Sequence, residues 1–270
     1  MDDLTYSLFD LELQDELNKL SKAIRYSHSV LRKLTEMVPI HYEELTVITL
    51  YRKLIENVDG IFVLADNGLE SPSTTVVRAA YEVFLQIEFM FKEDKEINRK
   101  ALSYYSTWLY EEVTFINKQL KNKELIMPKE VLLNKLQKNN KLLNTEFKIF
   151  KDEILRSKKK LNIKYPPKWY SLYDGPKSLN ELSKETTLKE AHFVLYNGMS
   201  AEAHGLKSTT TLTNFSEHLY LAPIRTTNIS LMPIDLGRTF ITSTTLKIVQ
   251  KYLPNKYEEF KQFVLTLFEK

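Results

Sequence analysis

Apolar residues recur three and four positions apart over long stretches of this chain, and this spacing constrains the fold more than any other feature. In residues 9–36, for example, Leu13, Leu17, Leu20 and Ile24 follow this spacing, which gives an α-helix one apolar face. The pattern recurs along most of the chain, and only six glycines and nine prolines interrupt it. We therefore predict an all-α fold, a single multi-helix bundle of about seven or eight helices in one domain spanning residues 1–270.

Helix boundaries can be placed from the local signals that begin and end helices. Asn67-Gly68 predicts a helix end with a left-handed residue, and Ser178 followed by Glu181 is a capping box. Residues 208–229 predict irregular structure or a short hairpin, because threonines alternate there with apolar residues. The helix that begins near Ser71 is apolar on nearly all sides, which places it in the middle of the bundle. The predicted helices include residues 9–36, 42–66, 71–94, 97–123, 187–205, 233–252 and 255–269.

Positive charge is concentrated in one segment. Residues 129–164 contain eleven Lys or Arg and four Asp or Glu, a net charge of +7, whereas the whole chain has +3. Its apolar residues keep a helical spacing, so we predict that residues 125–164 form a basic helical arm or insertion that projects from the bundle. Such a surface would suit the phosphates of RNA or a nucleotide. Its apolar stripe would equally suit a partner helix in a homodimer, and a solvated face is the third alternative.

Several classes of function are disfavoured by what the sequence lacks. It has no cysteine, so it has no disulfide, no thiolate nucleophile and no cysteine-based metal site. It shows no glycine-rich phosphate loop, no HExxH motif and no clustered metal ligands, and we expect no metal and no cofactor. No apolar run approaches the roughly 20 residues that span a bilayer, and the N-terminus is acidic rather than signal-like. We therefore expect a cytoplasmic protein with no membrane partner.

The apolar helix near residues 71–94 contains a pair of opposite charges. Arg78 and Glu82 are four residues apart and therefore lie on one face of the helix. A buried structural ion pair is one interpretation, and losing Arg78 would then cost roughly 3–5 kcal/mol. In the second interpretation, Arg78 binds an anion such as a phosphate in a polar cavity, while Glu82 orients Arg78 or acts as a base.

A second group of polar residues lies in the segment LYNGMSAEAHG, residues 195–205. On a helix, Asn197, Ser200 and His204 share a face, while small residues such as Gly198 let another helix approach closely. His204 could cap the helix end before Gly205. Alternatively, His204 is a general acid or base, because histidine titrates near neutrality, and Ser200 orients it or contacts the substrate.

The dipeptide Trp169-Tyr170 follows two consecutive prolines and contains one of only two tryptophans. It could anchor a loop to the bundle. Alternatively, it could form a stacking wall for a nucleobase or another flat group.

Three motifs in order, VVRAAYEVF, KWY and Tyr196 followed by MSAEAHG, resemble those of a known family. This is the uncharacterised prokaryotic family numbered 5677 among the domains of unknown function. Its pattern is an R-x-x-x-E helix, a W-Y dipeptide and a Y…S-x-x-x-H-G segment in an all-helical domain. The resemblance singles out Arg78, Glu82, Trp169, Tyr170, Tyr196, Ser200 and His204.

The helical architecture of that family is similar to that of HEPN (higher eukaryotes and prokaryotes nucleotide-binding) proteins, many of which are RNases of toxin, abortive-infection and phage-defence systems. The resemblance implies a metal-independent RNase, usually completed by a dimer, with catalytic Arg78, Glu82, Ser200 and His204. Tyr196, Asn197, Trp169 and Tyr170 would bind substrate. HEPN RNases place Arg and His on one helix, whereas here Arg78 must come from a different helix than His204. The alternative is a non-catalytic helical sensor or adaptor that binds a nucleotide, nucleic acid or protein partner.

Overall fold

The computed structural model describes residues 11–36, 41–122, 124–125, 127–190, 192–203, 212–215, 218–226 and 229–268. Within these ranges the fold is all-α, as predicted, and contains ten α-helices rather than seven or eight. The helices are α1 (Leu11–Thr35), α2 (Tyr42–Asp66), α3 (Glu70–Met90), α4 (Ile97–Gln119), α5 (Lys129–Asn144), α6 (Lys148–Lys160), α7 (Leu179–Lys184), α8 (His192–Ala203), α9 (Met232–Tyr252) and α10 (Tyr257–Phe268).

The remaining described elements are short. Strands β1 (Leu212–Phe215) and β2 (His218–Leu221) form an antiparallel hairpin, which confirms the hairpin alternative for residues 208–229. Six residues, Trp169–Asp174, form a 3-10 helix between α6 and α7. Two further 3-10 turns, Asp94–Glu96 and Pro254–Lys256, immediately precede α4 and α10.

Local signals in the sequence account for several helix ends. Helix α2 ends at Asp66, and Gly68 just beyond it has a left-handed φ of +72°. The amide of Leu69 donates to the carbonyl of Leu64 at 2.9 Å. The capping box before α7 is also confirmed. The amide of Glu181 donates to Ser178 Oγ at 3.1 Å, and the Glu181 carboxylate accepts from the amide of Lys177 at 2.8 Å.

The chain divides into two compact units, each made of separate segments. Unit 1 comprises residues 1–39, 48–88 and 187–270, and unit 2 comprises residues 40–47 and 89–186. Helices α2 and α3 therefore contribute residues to both units. Because a compact unit need not fold by itself, the single domain over residues 1–270 stays a prediction.

Unit 1 is built around α9, which packs against α1 and α10. A Cβ atom on Gly237 of α9 would lie 3.5 Å from side-chain atoms of Val58 and Ile61 on α2, so α9 also packs closely on α2. A buried hydrogen bond of 2.7 Å joins Tyr51 of α2 to Thr245 of α9. Phe240 stacks on Phe84 with ring centroids 4.8 Å apart, which anchors α3 to the same core.

Unit 2 is built around α4, which packs against α5, α6 and the 3-10 helix. Leu109 of α4 forms a buried cluster with Leu143 and Phe147. The basic segment therefore includes a helical hairpin, α5 and α6, that packs against α4 through its apolar stripe. The projection of residues 125–164 from the bundle stays a prediction. Both tryptophans, Trp108 and Trp169, belong to unit 2.

Candidate functional site

The predicted ion pair on α3 is present, and both of its partners reach solvent. Arg78 Nε donates to Glu82 Oε1 at 3.3 Å, and the side chains are 21% and 40% exposed respectively. The pair is therefore not the deeply buried one that the apolar sequence of α3 suggests. Removing Arg78 would leave a hydrated carboxylate rather than a stranded buried charge, so the expected penalty of a buried pair does not apply.

Helix α8 supplies the second contact of Arg78. Its Nη2 atom donates to the hydroxyl of Tyr196 at 2.8 Å, and its Cζ atom lies 4.8 Å from the centroid of the Tyr196 ring. The guanidinium thus interacts with both the hydroxyl and the π-face of one tyrosine. The two helices singled out by the sequence, α3 and α8, meet at this point within unit 1.

A buried tyrosine and histidine extend this contact towards the core. Tyr81 Oη and His192 Nδ1 lie 2.8 Å apart, and the His192 ring stacks on Tyr196 with centroids 5.2 Å apart and planes 16° from parallel. Burial raises the pKa of Tyr81 to about 12 and lowers the pKa of His192. Both groups are therefore neutral at pH 7, and the Tyr81 hydroxyl can donate a hydrogen bond to His192 Nδ1.

We call Arg78, Glu82, Tyr196, Tyr81 and His192 the Arg78 cluster. Its inner part, Tyr81 and His192, is buried and holds the ring of Tyr196 in a fixed position. Its outer part consists of a guanidinium that is oriented from two helices and a carboxylate with substantial exposure. Such an arrangement can bind an anion through the guanidinium and can accept a proton at the carboxylate.

The other predicted residues of the α8 segment fall in different places. Asn197 lies on α8 and is exposed. A Cβ atom built on Gly198 would meet no atom of another element within 4 Å in the described part of the chain, and the expected close helix approach at this glycine stays a prediction. Ser200 belongs to α8 by its backbone, but its side chain lies outside the described structure, as does the whole of His204.

Trp169 and Tyr170 lie in unit 2 and are 6% and 9% exposed. The Trp169 ring contacts Phe89 and Tyr104, each at a centroid distance of 5.8 Å. This burial favours the loop-anchor interpretation and leaves little aromatic surface for a ligand to stack on.

Sequence reasoning missed Tyr81 and His192. The partner of His192, Tyr81, lies 111 positions away in the sequence, so no local pattern pairs the two residues. A signal was nevertheless available, since Tyr81 lies between Arg78 and Glu82, and His192 precedes Tyr196 by one helical turn.

Within the described ranges, no group of three or more His, Asp or Glu side chains is placed to hold a metal ion. No helix among the same residues has the length and hydropathy needed to cross a bilayer.

Comparison with known families matches residues 44–218 to the model of DUF5677, described as a family of unknown function. No curated protein and no solved structure matches the chain.

Proposed function

Because the chain belongs to DUF5677, a family of unknown function, we propose an activity from the chemistry of its own residues: RNA cleavage at the Arg78 cluster without a metal ion. The supporting observation is the arrangement of three side chains from two helices. A fixed guanidinium lies within hydrogen-bonding distance of both an exposed carboxylate and a phenol. The guanidinium can stabilise the charge that develops at a phosphodiester, and the carboxylate can act as a general base.

In the proposed reaction the 2′-hydroxyl of RNA attacks the adjacent phosphorus. Glu82 accepts the proton of that hydroxyl as the general base. Arg78 binds the non-bridging phosphate oxygens and stabilises the charge that develops on them. The O2′–P bond forms, the P–O5′ bond breaks, and the departing O5′ takes its proton from the imidazolium of His204, with Ser200 positioning the phosphate. The products are a 2′,3′-cyclic phosphate and a free 5′-hydroxyl.

The buried half of the cluster has a positioning role in this proposal. The stack of His192 on Tyr196 fixes the phenol, and the phenol fixes Arg78 from the α8 side. The guanidinium therefore needs little reorganisation when the phosphate binds. Preorganised charge of this kind supplies much of the rate enhancement in phosphoryl transfer.

A second candidate function is a non-catalytic sensor or adaptor, in which the cluster joins α3 to α8. The observation that favours it is the use of Arg78 donors by Glu82 and Tyr196. In that case the cluster contributes to the stability of unit 1, and substitutions at Arg78 or Glu82 change melting behaviour rather than any activity.

The test is cleavage of a labelled single-stranded RNA by the full chain in EDTA. Glu82→Gln should lower the rate roughly 100-fold or more, because general-base catalysis contributes about that much. The matched control is Glu56→Gln on α2, which removes the carboxylate of another i,i+4 Arg–Glu pair, with Arg52 Nε 2.9 Å from Glu56 Oε1. This control should cleave like the unaltered protein.

Equal cleavage by the Glu82 and Glu56 variants, or no cleavage by the unaltered protein, overturns the proposal. Thermal melts then identify the second candidate. A Glu82→Gln or Arg78→Met protein that melts well below the Glu56→Gln protein, with no cleavage by any of them, supports the structural joint between α3 and α8.

A further inference from the structure

Residues 154–178 of unit 2 contain seven cationic side chains and a single carboxylate, that of Asp174. We call this stretch the basic surface. It comprises the second half of α6, the connection over residues 161–168, the 3-10 helix and the residues up to the N-cap of α7. All but one of the cations are exposed, and Lys158 is half-buried. The seven are Arg156, Lys158, Lys159, Lys160, Lys164, Lys168 and Lys177.

The one carboxylate of the basic surface is held between two of its cations. Asp174 Oδ1 accepts from Lys160 Nζ at 2.7 Å and from Arg156 Nη2 at 3.4 Å. The three side chains are 57%, 57% and 49% exposed, so water and dissolved anions reach them. Exposed ion pairs of this kind are weak and exchange readily with other anions. A phosphate oxygen could therefore take the place of the Asp174 carboxylate.

The backbone that carries Asp174 is constrained. Tyr173 and Asp174 are two consecutive non-glycine residues at left-handed φ values of +56° and +62°. The amide of Tyr173 donates to the buried carboxylate of Glu153 at 2.7 Å, and the Arg99 guanidinium lies 4.6 Å from the centroid of the Tyr173 ring. Contacts from α6 and α4 thus hold this turn in a strained conformation. Strain that is maintained in this way is typical of functional positions.

The basic surface also contains an exposed aromatic residue. Tyr165 is 71% exposed and follows Lys164 in the connection between α6 and the 3-10 helix. The contact between Lys160 and Asp174 brings the end of α6 close to the end of the 3-10 helix, so the connection with Tyr165 lies between two joined elements. Cations that follow a phosphate backbone, combined with an exposed ring on which a base can stack, are the features of single-stranded nucleic-acid sites.

We propose that the basic surface binds single-stranded RNA, with Lys160 on a phosphate, Tyr165 stacked on a base, and Asp174 competing with that phosphate. Asp174 then acts as an internal competitor that lowers the affinity for RNA. The proposal rests on the proposed function only in taking RNA as the ligand, because binding is measured here and not cleavage.

The first test measures the Kd of a labelled oligouridine of about 20 nucleotides, a length that covers one or more typical single-strand sites. Every protein carries Glu82→Gln, so that the probe stays intact. Asp174→Asn should lower the Kd roughly threefold to tenfold and steepen its dependence on salt by about 0.7, the value for one further phosphate contact with a single strand. Asparagine tolerates the left-handed backbone at this position, so the fold is preserved.

The matched control is Asp152→Asn. This substitution also removes one negative charge. Asp152 lies on α6 and pairs with Lys148 at 2.6 Å, and both Asp152 and Lys148 are exposed, as Asp174 and Lys160 are. It lies just outside the basic surface and should change the Kd little. An equal effect of the two substitutions would show a response to net charge alone and would overturn the proposal.

The second test separates phosphate contacts from base stacking. Lys160→Ala should weaken binding more than Lys148→Ala, and Tyr165→Ala should weaken it roughly fivefold or more, whereas Tyr165→Phe keeps the ring and the affinity. An unchanged Tyr165→Ala protein would indicate a general polyanion site and overturn the assignment to RNA. Tighter binding to phosphatidylserine vesicles than to the oligouridine would do the same.

These outcomes are distinguishable from those of the cleavage test. If Asp174→Asn tightens binding while no protein cleaves RNA, the proposed function fails and the binding surface stands. If Glu82→Gln abolishes cleavage while Asp174→Asn behaves like Asp152→Asn, the binding surface fails and the proposed function stands.

Discussion

The contact between Arg78 and Tyr196 can be measured directly with a double-mutant cycle. Arg78→Met removes the guanidinium and keeps the aliphatic stem, and Tyr196→Phe removes the hydroxyl and keeps the ring on His192. The cycle therefore isolates the hydrogen bond of 2.8 Å between Nη2 and Oη. A hydrogen bond to a charged group contributes about 1.5–3 kcal/mol when it is buried.

The structure sets the size of the expected coupling. The Arg78 side chain is 21% exposed, so solvent screens part of its charge. We therefore expect a coupling of about 1–2 kcal/mol in the free energy of unfolding, a factor of roughly 5–30 in the ratio of folded to unfolded protein. Each single variant should lose about this much, because either change breaks the same bond.

The assay is urea unfolding followed by far-ultraviolet circular dichroism, which reports helix in both units. Tyr165→Phe, which alters an exposed tyrosine of unit 2, is the silent control. Independent substitutions are additive to within about 0.5 kcal/mol. A coupling below that limit would show that the guanidinium and the hydroxyl do not depend on each other. It would refute the view that the Arg78 cluster joins α3 to α8.

Two further predictions concern unit 1. Burial holds the pKa of His192 below its ordinary value of 6.5, so on acidification the unfolded chain binds a proton before the folded chain does. The free energy of unfolding should therefore fall as the pH drops from 7 through 6.5. Urea unfolding at several pH values should show a smaller fall for His192→Phe than for His28→Phe, the same substitution at an exposed histidine. Gly68→Ala should destabilise by about 1–2 kcal/mol, because a left-handed backbone disfavours a side chain and its Cβ would lie 2.6 Å from the Thr226 carbonyl oxygen. Gly60→Ala, in a helical position with ordinary contacts at 3.5 Å, should instead leave the melting temperature unchanged or raise it.

Helix positions were largely predictable because they depend on local spacing. The prediction of residues 42–66 coincides with α2, and that of residues 233–252 differs from α9 by one residue. Apolar periodicity and terminating residues such as Gly68 act within a few positions, so a single sequence contains the necessary information. The same holds for the pairing of Arg78 with Glu82, which lie one turn apart on a helix.

Contacts between distant segments were only partly predictable. Arg78 was expected to share a site with residues of the α8 segment, but its contact with the Tyr196 hydroxyl was not predicted and the inner half of the cluster was missed. Tyr81 and His192 become partners only when α3 and α8 pack together, and no local pattern shows which faces meet. The packing of the basic segment is a further example, because its spacing predicts an apolar stripe but does not show that this stripe contacts α4.

The confinement of both tryptophans to residues 89–186 has a practical consequence for spectroscopy. Indole emission from this protein reports the surroundings of Trp108 and Trp169, and neither ring belongs to the unit that carries Arg78. Fluorescence therefore reports unit 2 directly, and it follows unit 1 only where the two units unfold together. An indole introduced at exposed Phe193 would give unit 1 its own optical reporter.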